Sequence, residues 1–387
     1  MPKSVKGAAP SQSLDLPFDE PPNVPGAERV DLPIDASVEP FAGESGEPRG
    51  PRGPGGPPGS AAPVPLDLPL GPSALPDFPM PPAGASVAAA AEPAARHWLW
   101  QRLADMAQLM RLDRPIGIWL LLWPTLWALW TATGGHPRRS VLAIFVAGTV
   151  LMRSAGCVIN DFLDRNIDPF VRRTRNRPLA ARRISPNEAL ILFALLVGTA
   201  FVLVLQLNAP TVRLSFIGAG LTLTYPLMKR FFPIPQLYLG LSFGWGVPMA
   251  FAAELGAVPR VGWVLLLAAV VWAGVYDTFY AMADRSDDQR IGIKSSAITF
   301  GDLDLLMIGA MQLMVLLSLG LAGRLLELGT PYYAAILCGA GLFAHQQWLA
   351  RGRDAAGCLK AFHSNNYFGL VILAGVVVEY ATRTRGL

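Results

Sequence analysis

Cysteine, histidine and charge are all scarce in this chain. The three cysteines, Cys157, Cys338 and Cys358, form no CxxC pair and cannot all pair with one another, so neither a disulfide framework nor a zinc site is expected. The four histidines, His97, His136, His345 and His363, are scattered without ligand spacing and read as structural or solvated. Charged residues make up only 16% of the 387 positions against 52% hydrophobic, which is the membrane side of the soluble range. Nothing in the basic residues points to nucleic acid.

What the chain does have is unevenly distributed. Residues 1–95 hold 22 of the 35 prolines, and 12 acidic residues against 5 basic ones give this stretch a net charge near −7. With runs such as Gly53-Pro54-Gly55-Gly56-Pro57-Pro58-Gly59 and no hydrophobic periodicity, it reads as a disordered, partly polyproline-like tail. Its acidity argues against a mitochondrial transit peptide, and it lacks the apolar core of a secretory signal. The remainder, 96–387, carries about +11, since the whole carries +4. A basic, apolar body suits an anionic membrane surface and anionic ligands.

Beyond Trp98 the sequence becomes a series of apolar segments, each about the twenty residues that cross a bilayer core as a helix. The expected spans are 116–133, 141–159, 188–206, 211–228, 236–253, 262–281, 303–323, 332–350 and 366–381. Counting loop charges on alternate sides of these nine spans gives 19 Lys and Arg on one side and 7 on the other. The positive-inside rule then puts the amino terminus in the cytoplasm and the carboxyl terminus outside. A multi-pass protein of the bacterial inner membrane, all-α, is the expectation.

Two acidic groups stand out against this background. Asn160-Asp161-Phe162-Leu163-Asp164-Arg165-Asn166-Ile167-Asp168 closes the second span, and offsets of three and four residues would set Asp161, Asp164 and Asp168 on one helical face. Asp277, Tyr280, Asp284 and Asp288 repeat the arrangement at the end of the sixth span, on the same side of the membrane. Clustered carboxylates repel and raise one another's pKa unless a cation is bound. Oxygen ligands of this kind suit Mg²⁺, which commonly completes its shell with water and phosphate oxygens. Basic residues capable of holding phosphate lie nearby: the Arg172 to Arg177 run, Lys229 one helical turn after Tyr225, and Lys294. Arg153 is different, because it falls inside a span, where an Arg costs roughly 2.5–3.5 kcal/mol on insertion scales and needs a partner. That partner is either a nearby Asp or the carboxylate of a substrate.

The residues also carry a family resemblance. Asn160 to Asp168 resembles the first Asp-rich motif, NDxxDxxxD, of the UbiA superfamily of intramembrane prenyltransferases, and the extension through Val171, Arg173, Thr174 and Arg177 is similar to that signature as well. Asp277 to Asp288 resembles the second, DxxYAxxDxxxD. Three further strings are most similar to the branch that prenylates 4-hydroxybenzoate in ubiquinone biosynthesis. They are Asp113-Arg114-Pro115-Ile116-Gly117 leading into Trp119, Trp123, Trp127 and Trp130; Gly244-Trp245-Gly246-Val247-Pro248; and Ile291-Gly292-Ile293-Lys294-Ser295-Ser296.

The resemblance covers about residues 105–380 and implies a bundle of nine membrane helices around a central cavity with a lateral opening to lipid. It implies polyprenyl diphosphate and 4-hydroxybenzoate as substrates and Mg²⁺ as cofactor. Asp161, Asp164, Asp168, Asp277, Asp284 and Asp288 would be linked to the metal, with Asn160 in support. Arg173, Tyr225, Lys229 and Lys294 would hold the diphosphate, Arg153 the benzoate carboxylate, and Tyr280 or Phe279 an allylic cation. Two rivals are a prenyltransferase for homogentisate, a naphthoate or haem, and a cation transporter. The transporter would place its carboxylates near mid-membrane, without Arg and Lys beside them.

Overall fold

A computed structural model describes residues 87–170, 174–292 and 294–385, and all regular structure among them is helical. The acidic tail up to residue 86 lies outside the described residues. Twelve α-helices follow: α1 Val87–Leu109, α2 Ile116–Ala132, α3 Arg139–Leu163, α4 Pro186–Val204, α5 Ala209–Phe231, α6 Pro235–Gly244, α7 Gly246–Leu255, α8 Arg260–Ile291, α9 Ser296–Phe300, α10 Asp304–Leu325, α11 Thr330–Ala350 and α12 Ala355–Arg385. The first of these begins inside the stretch that composition assigns to the tail.

Every expected span falls on helix, but the count of nine is not met by length and apolarity alone. Five stretches are long and apolar enough to cross a membrane, namely Arg139–Leu163, Pro186–Val204, Arg260–Arg290, Ser296–Leu325 and Ala355–Arg383, while Ile116–Ala132 is apolar but shorter. The fifth expected span is not continuous: it divides into α6 and α7 at Trp245. Pro248 supplies the reason, since it has no N–H for the carbonyl of Gly244 four residues earlier and its ring crowds that carbonyl.

Local chemistry sets several helix ends. Ser185 and Glu188 form a reciprocal capping box at the start of α4, with Glu188 accepting from the Ser185 N–H at 2.7 Å. Gly256 and Gly292 end α7 and α8 in the left-handed conformation. The core lies where α2, α8, α11 and α12 meet. Trp127 stacks on Trp272 at 5.3 Å and Phe343 on Phe368 at 4.2 Å. Both buried indole N–H groups are satisfied, Trp127 donating to the Gly369 carbonyl and Trp272 to Asn365. Phe279 belongs to this core and is fully buried.

At 32 residues, α8 is about 48 Å long at 1.5 Å per residue. That exceeds the roughly 30 Å hydrocarbon thickness of a bilayer. Asp277 to Asp288 lie toward the carboxyl-terminal end of this helix.

Candidate active site

The central feature among the described residues is an open cavity of about 1290 Å³, lined by residues of α1, α2, α3, α4, α5, α6, α7, α8 and α12. Both acidic groups line it, although more than a hundred residues separate them in sequence. Asn160, Asp161, Asp164 and Asp168 stand on one wall, and Asp277, Tyr280, Asp284 and Asp288 on another. Arg153, Tyr225 and Lys294 also line it. Arg173 lies outside the described residues, as does the Lys229 side chain, although the backbone of α5 continues one turn past Tyr225 to carry it. Of the two aromatic residues expected to face an allylic cation, Tyr280 lines the cavity and packs on Phe362 at 5.1 Å. Phe279 does not, because successive helical residues point about 100° apart and its ring fills the core.

The first acidic group is not a single helical face. Helix α3 ends at Leu163, and Asp164 is its cap. The chain then turns, with the Asp168 N–H donating to the Asp164 carbonyl at 2.9 Å, so helical spacing survives for one more turn. A short 3₁₀ helix from Asp168 follows.

The three carboxylates also differ in surroundings. Asp161 is 1% exposed, and both of its oxygens accept from guanidinium groups: Arg111 at 2.8 and 2.9 Å, and Arg177 at 2.9 Å. Arg177 also reaches Asp168 at 2.9 Å. Burial pushes the Asp168 carboxyl above the ordinary carboxylate value; Arg177 opposes this and the Asp161 charge adds to it. For Arg177, burial works to lower the pKa, but the Asp161 and Asp168 charges outweigh it and the net shift is upward.

No local pattern around Arg111 signals its pairing with Asp161, which lies 50 residues away. Arg111 occupies the left-handed region, φ 60°, where a helix usually ends on glycine. The backbone bonds around it, from Arg111 to the Gln108 carbonyl and from Leu112 to that of Ala107, close the last turn of α1 and aim the guanidinium at α3.

Arg153 lies about 10 Å further along α3 from Asn160, seven residues at 1.5 Å each. Its Nε is buried and has no hydrogen-bond partner. Among the described residues no carboxylate is in ion-pair range of it, and the guanidinium lies over the Phe243 ring at 5.4 Å. It rests against the backbone of α2 at Gly117, where a Cβ would come within 2.5 Å of Nε. A buried Nε–H left without an acceptor is costly, and an anion entering the cavity could complete it.

No group of three or more His, Cys, Asp or Glu side chains is gathered tightly enough among the described residues to hold a metal alone. The donors on the two walls are carboxylates and an amide, facing a shared space. That fits a hard cation such as Mg²⁺, which usually takes one or two carboxylates and completes its shell with phosphate oxygens and water.

Fold and site together define a multi-pass helical membrane protein whose cavity is acidic at its mouth and holds an unpaired arginine further in. The model of the UbiA prenyltransferase family matches residues 121–371, and the chain belongs to that family. It is 56% identical over 282 residues to a 4-hydroxybenzoate octaprenyltransferase of Nitrosococcus oceani, covering 73% of this chain and 99% of that one. Among solved structures, a UbiA homologue from Aeropyrum pernix superposes with a TM-score of 0.59 at 26% identity, covering 67% of this chain and 97% of that one. A UbiA homologue from Archaeoglobus fulgidus, bound to GPP and Mg²⁺, shares the fold at a TM-score of 0.53 and 14% identity, covering 71% and 99%.

Proposed function

We propose that the protein transfers a polyprenyl group from polyprenyl diphosphate to the ring carbon ortho to the hydroxyl of 4-hydroxybenzoate, in a Mg²⁺-dependent step of ubiquinone biosynthesis. The observation that carries this reading is the meeting of both acidic motifs and the unpaired Arg153 in one cavity. The names of relatives above half identity support the choice of acceptor. The enzyme sits in the bacterial inner membrane, with its amino terminus and the acidic mouth on the cytoplasmic side, as the loop charges favour.

Asp164 and Asp168 on one wall, and Asp277, Asp284 and Asp288 on the other, would hold Mg²⁺, with Asn160 in support. Asp161 enters this set differently, because its oxygens already position Arg111 and Arg177 at the mouth. When bound, Mg²⁺ supplies charge neutralisation for the diphosphate leaving group. Lys294, with Lys229 and Arg173, adds positive charge to the departing oxygens, and Tyr225 completes that wall. The allylic C–O bond then ionises. The apolar wall excludes water that would quench the cation, and the face of Tyr280 stabilises it by about 0.5–2 kcal/mol. Arg153 holds the benzoate carboxylate so that the carbon ortho to the hydroxyl faces the cation. A C–C bond forms, and loss of the ring proton restores aromaticity.

Purified protein supplied with Mg²⁺, 4-hydroxybenzoate and octaprenyl diphosphate tests the reading. Release of diphosphate together with a product of the mass of 3-octaprenyl-4-hydroxybenzoate is expected. Release of neither would sink it, and prenylation of a carboxylate-free phenol in preference to the benzoate would move the acceptor assignment elsewhere.

A further inference from the structure

Each acidic wall is accompanied by a buried carboxylate that two arginines share. On α3 it is Asp161, between Arg111 and Arg177. For α8 it is Asp304, the first residue of α10, which is 0% exposed. Arg285 donates to one of its oxygens, and the Nε–H of Arg353 to both, at 3.0 and 3.2 Å. The Leu305 N–H adds a further donor at 2.6 Å. The likeness extends to the backbone: Arg111 and Arg353 each follow the end of a helix, and both lie in the left-handed region, at φ 60° and 53°.

Asp304 differs from Asp161 in a respect that decides its role. It does not line the central cavity, whereas Asp161, Asp284 and Asp288 do. A carboxylate away from the ligand space acts through the residues it holds, and Arg285 is the link. Arg285 stands between Asp284 and Asp288 in sequence but is not on the cavity wall, because successive helical residues point about 100° apart. It also donates to the Gly301 carbonyl at 3.4 Å, so its side chain clasps the turn that leads into α10. Residues 284–290 include no apolar side chain, so packing of this part of α8 against the core ends at Ala283. The contact with Asp304 fastens these last turns to α10. Arg353, which donates as well to the Asp302 carbonyl at 2.8 Å, ties the same point to the chain between α11 and α12.

We propose that Asp304 is a positioning residue for the second acidic wall: by holding Arg285 it fixes the last turns of α8, and with them the places of Asp284 and Asp288 opposite Asp164 and Asp168. The inference rests on the metal–diphosphate reading of the two walls and adds what keeps one of them in register with the other. A carboxylate ligates a metal well only when its own position is set by its surroundings, and loss of such support typically costs roughly 10–100-fold in affinity or activity.

Binding without turnover tests it. Calorimetry in detergent measures the affinity of wild type, Asp304→Asn, Arg353→Gln and Glu379→Gln for a non-reactive thio-analogue of a prenyl diphosphate in the presence of Mg²⁺. Glu379 is the control: it is also buried, at 3% exposed, and pairs with Arg383 at 2.7 Å. It lies about 36 Å along α12 from Ala355, 24 residues at 1.5 Å each. Asp304→Asn is expected to bind the analogue roughly 10–100-fold more weakly than wild type. Arg353→Gln, whose native side chain is 40% exposed, should bind it about threefold more weakly. Glu379→Gln should match wild type in affinity while melting at a lower temperature. An unchanged affinity in Asp304→Asn, or an equal weakening in Glu379→Gln, would overturn the proposal. If Asp304→Asn does not fold, Arg353→Gln decides, because it keeps the pair of Asp304 with Arg285, and wild-type affinity there overturns the proposal. Wild-type protein that binds no analogue with Mg²⁺ would instead remove the metal–diphosphate reading, and the positioning role with it.

Discussion

Arg153 and Gly117 show how one side chain can depend on the absence of another. The guanidinium lies where a Cβ on α2 would stand, and its buried Nε is left for something the protein does not provide. A charge-assisted hydrogen bond to a substrate carboxylate is worth about 1.5–3 kcal/mol, which is roughly ten- to a hundredfold in affinity. Arg153→Ala is therefore expected to raise KM for 4-hydroxybenzoate by that factor and to leave KM for the prenyl diphosphate within about twofold. Gly117→Ala should move acceptor KM in the same direction, because the new methyl displaces the guanidinium. Steady-state kinetics with each substrate varied in turn checks both, and equal effects on the two KM values would count against the assignment. Asp164→Ala should instead abolish diphosphate release at any acceptor concentration.

At the level of elements, the end of α1 is held to the bundle both by an apolar contact, with Leu109 and Met106 packed among Ala155, Val158, Ile184 and Ala189, and by ion pairs. Arg102 pairs with Glu188 at 3.2 Å, Arg183 with Asp105, and Arg111 with Asp161 at 2.8 Å. Removing the Arg111 side chain leaves Asp161 buried with Arg177 alone, and the expected loss is about 1.5–3 kcal/mol. Thermal unfolding in detergent would register this as a lower melting temperature for Arg111→Ala, with a smaller change for Arg102→Ala, whose ion pair is more exposed.

The helices and both acidic motifs were legible in the sequence, because twenty-residue apolar runs and offsets of three, four and seven are local patterns. Two features at this scale were not. The break at Trp245 was written in the spacing of Gly244 and Pro248, but hydropathy averages over it. The Arg111–Asp161 pair joins residues 50 positions apart, and no local pattern encodes a contact made by the packing of α1 on α3. Phe279 went astray by one helical position, enough to turn it from the cavity into the core.

For the whole molecule, the arrangement separates tasks along the cavity: the two acidic groups at one end of α3 and α8, and Arg153 further along α3. No three carboxylates are gathered tightly among the described residues, and on the proposed function metal and diphosphate would join the two walls. Chelation by EDTA is accordingly expected to stop diphosphate release, and excess Mg²⁺ to restore it. Residual turnover above about one per cent of the original rate in metal-free buffer would argue that Lys and Arg alone carry the leaving group.

The most direct test of the central claim is a structure of the protein with Mg²⁺ and a non-reactive thio-analogue of a prenyl diphosphate. The account predicts one diphosphate between the Asp164–Asp168 wall and the Asp277–Asp288 wall, in contact through metal with both. A diphosphate bound to one motif alone, or bound outside the cavity, would contradict it.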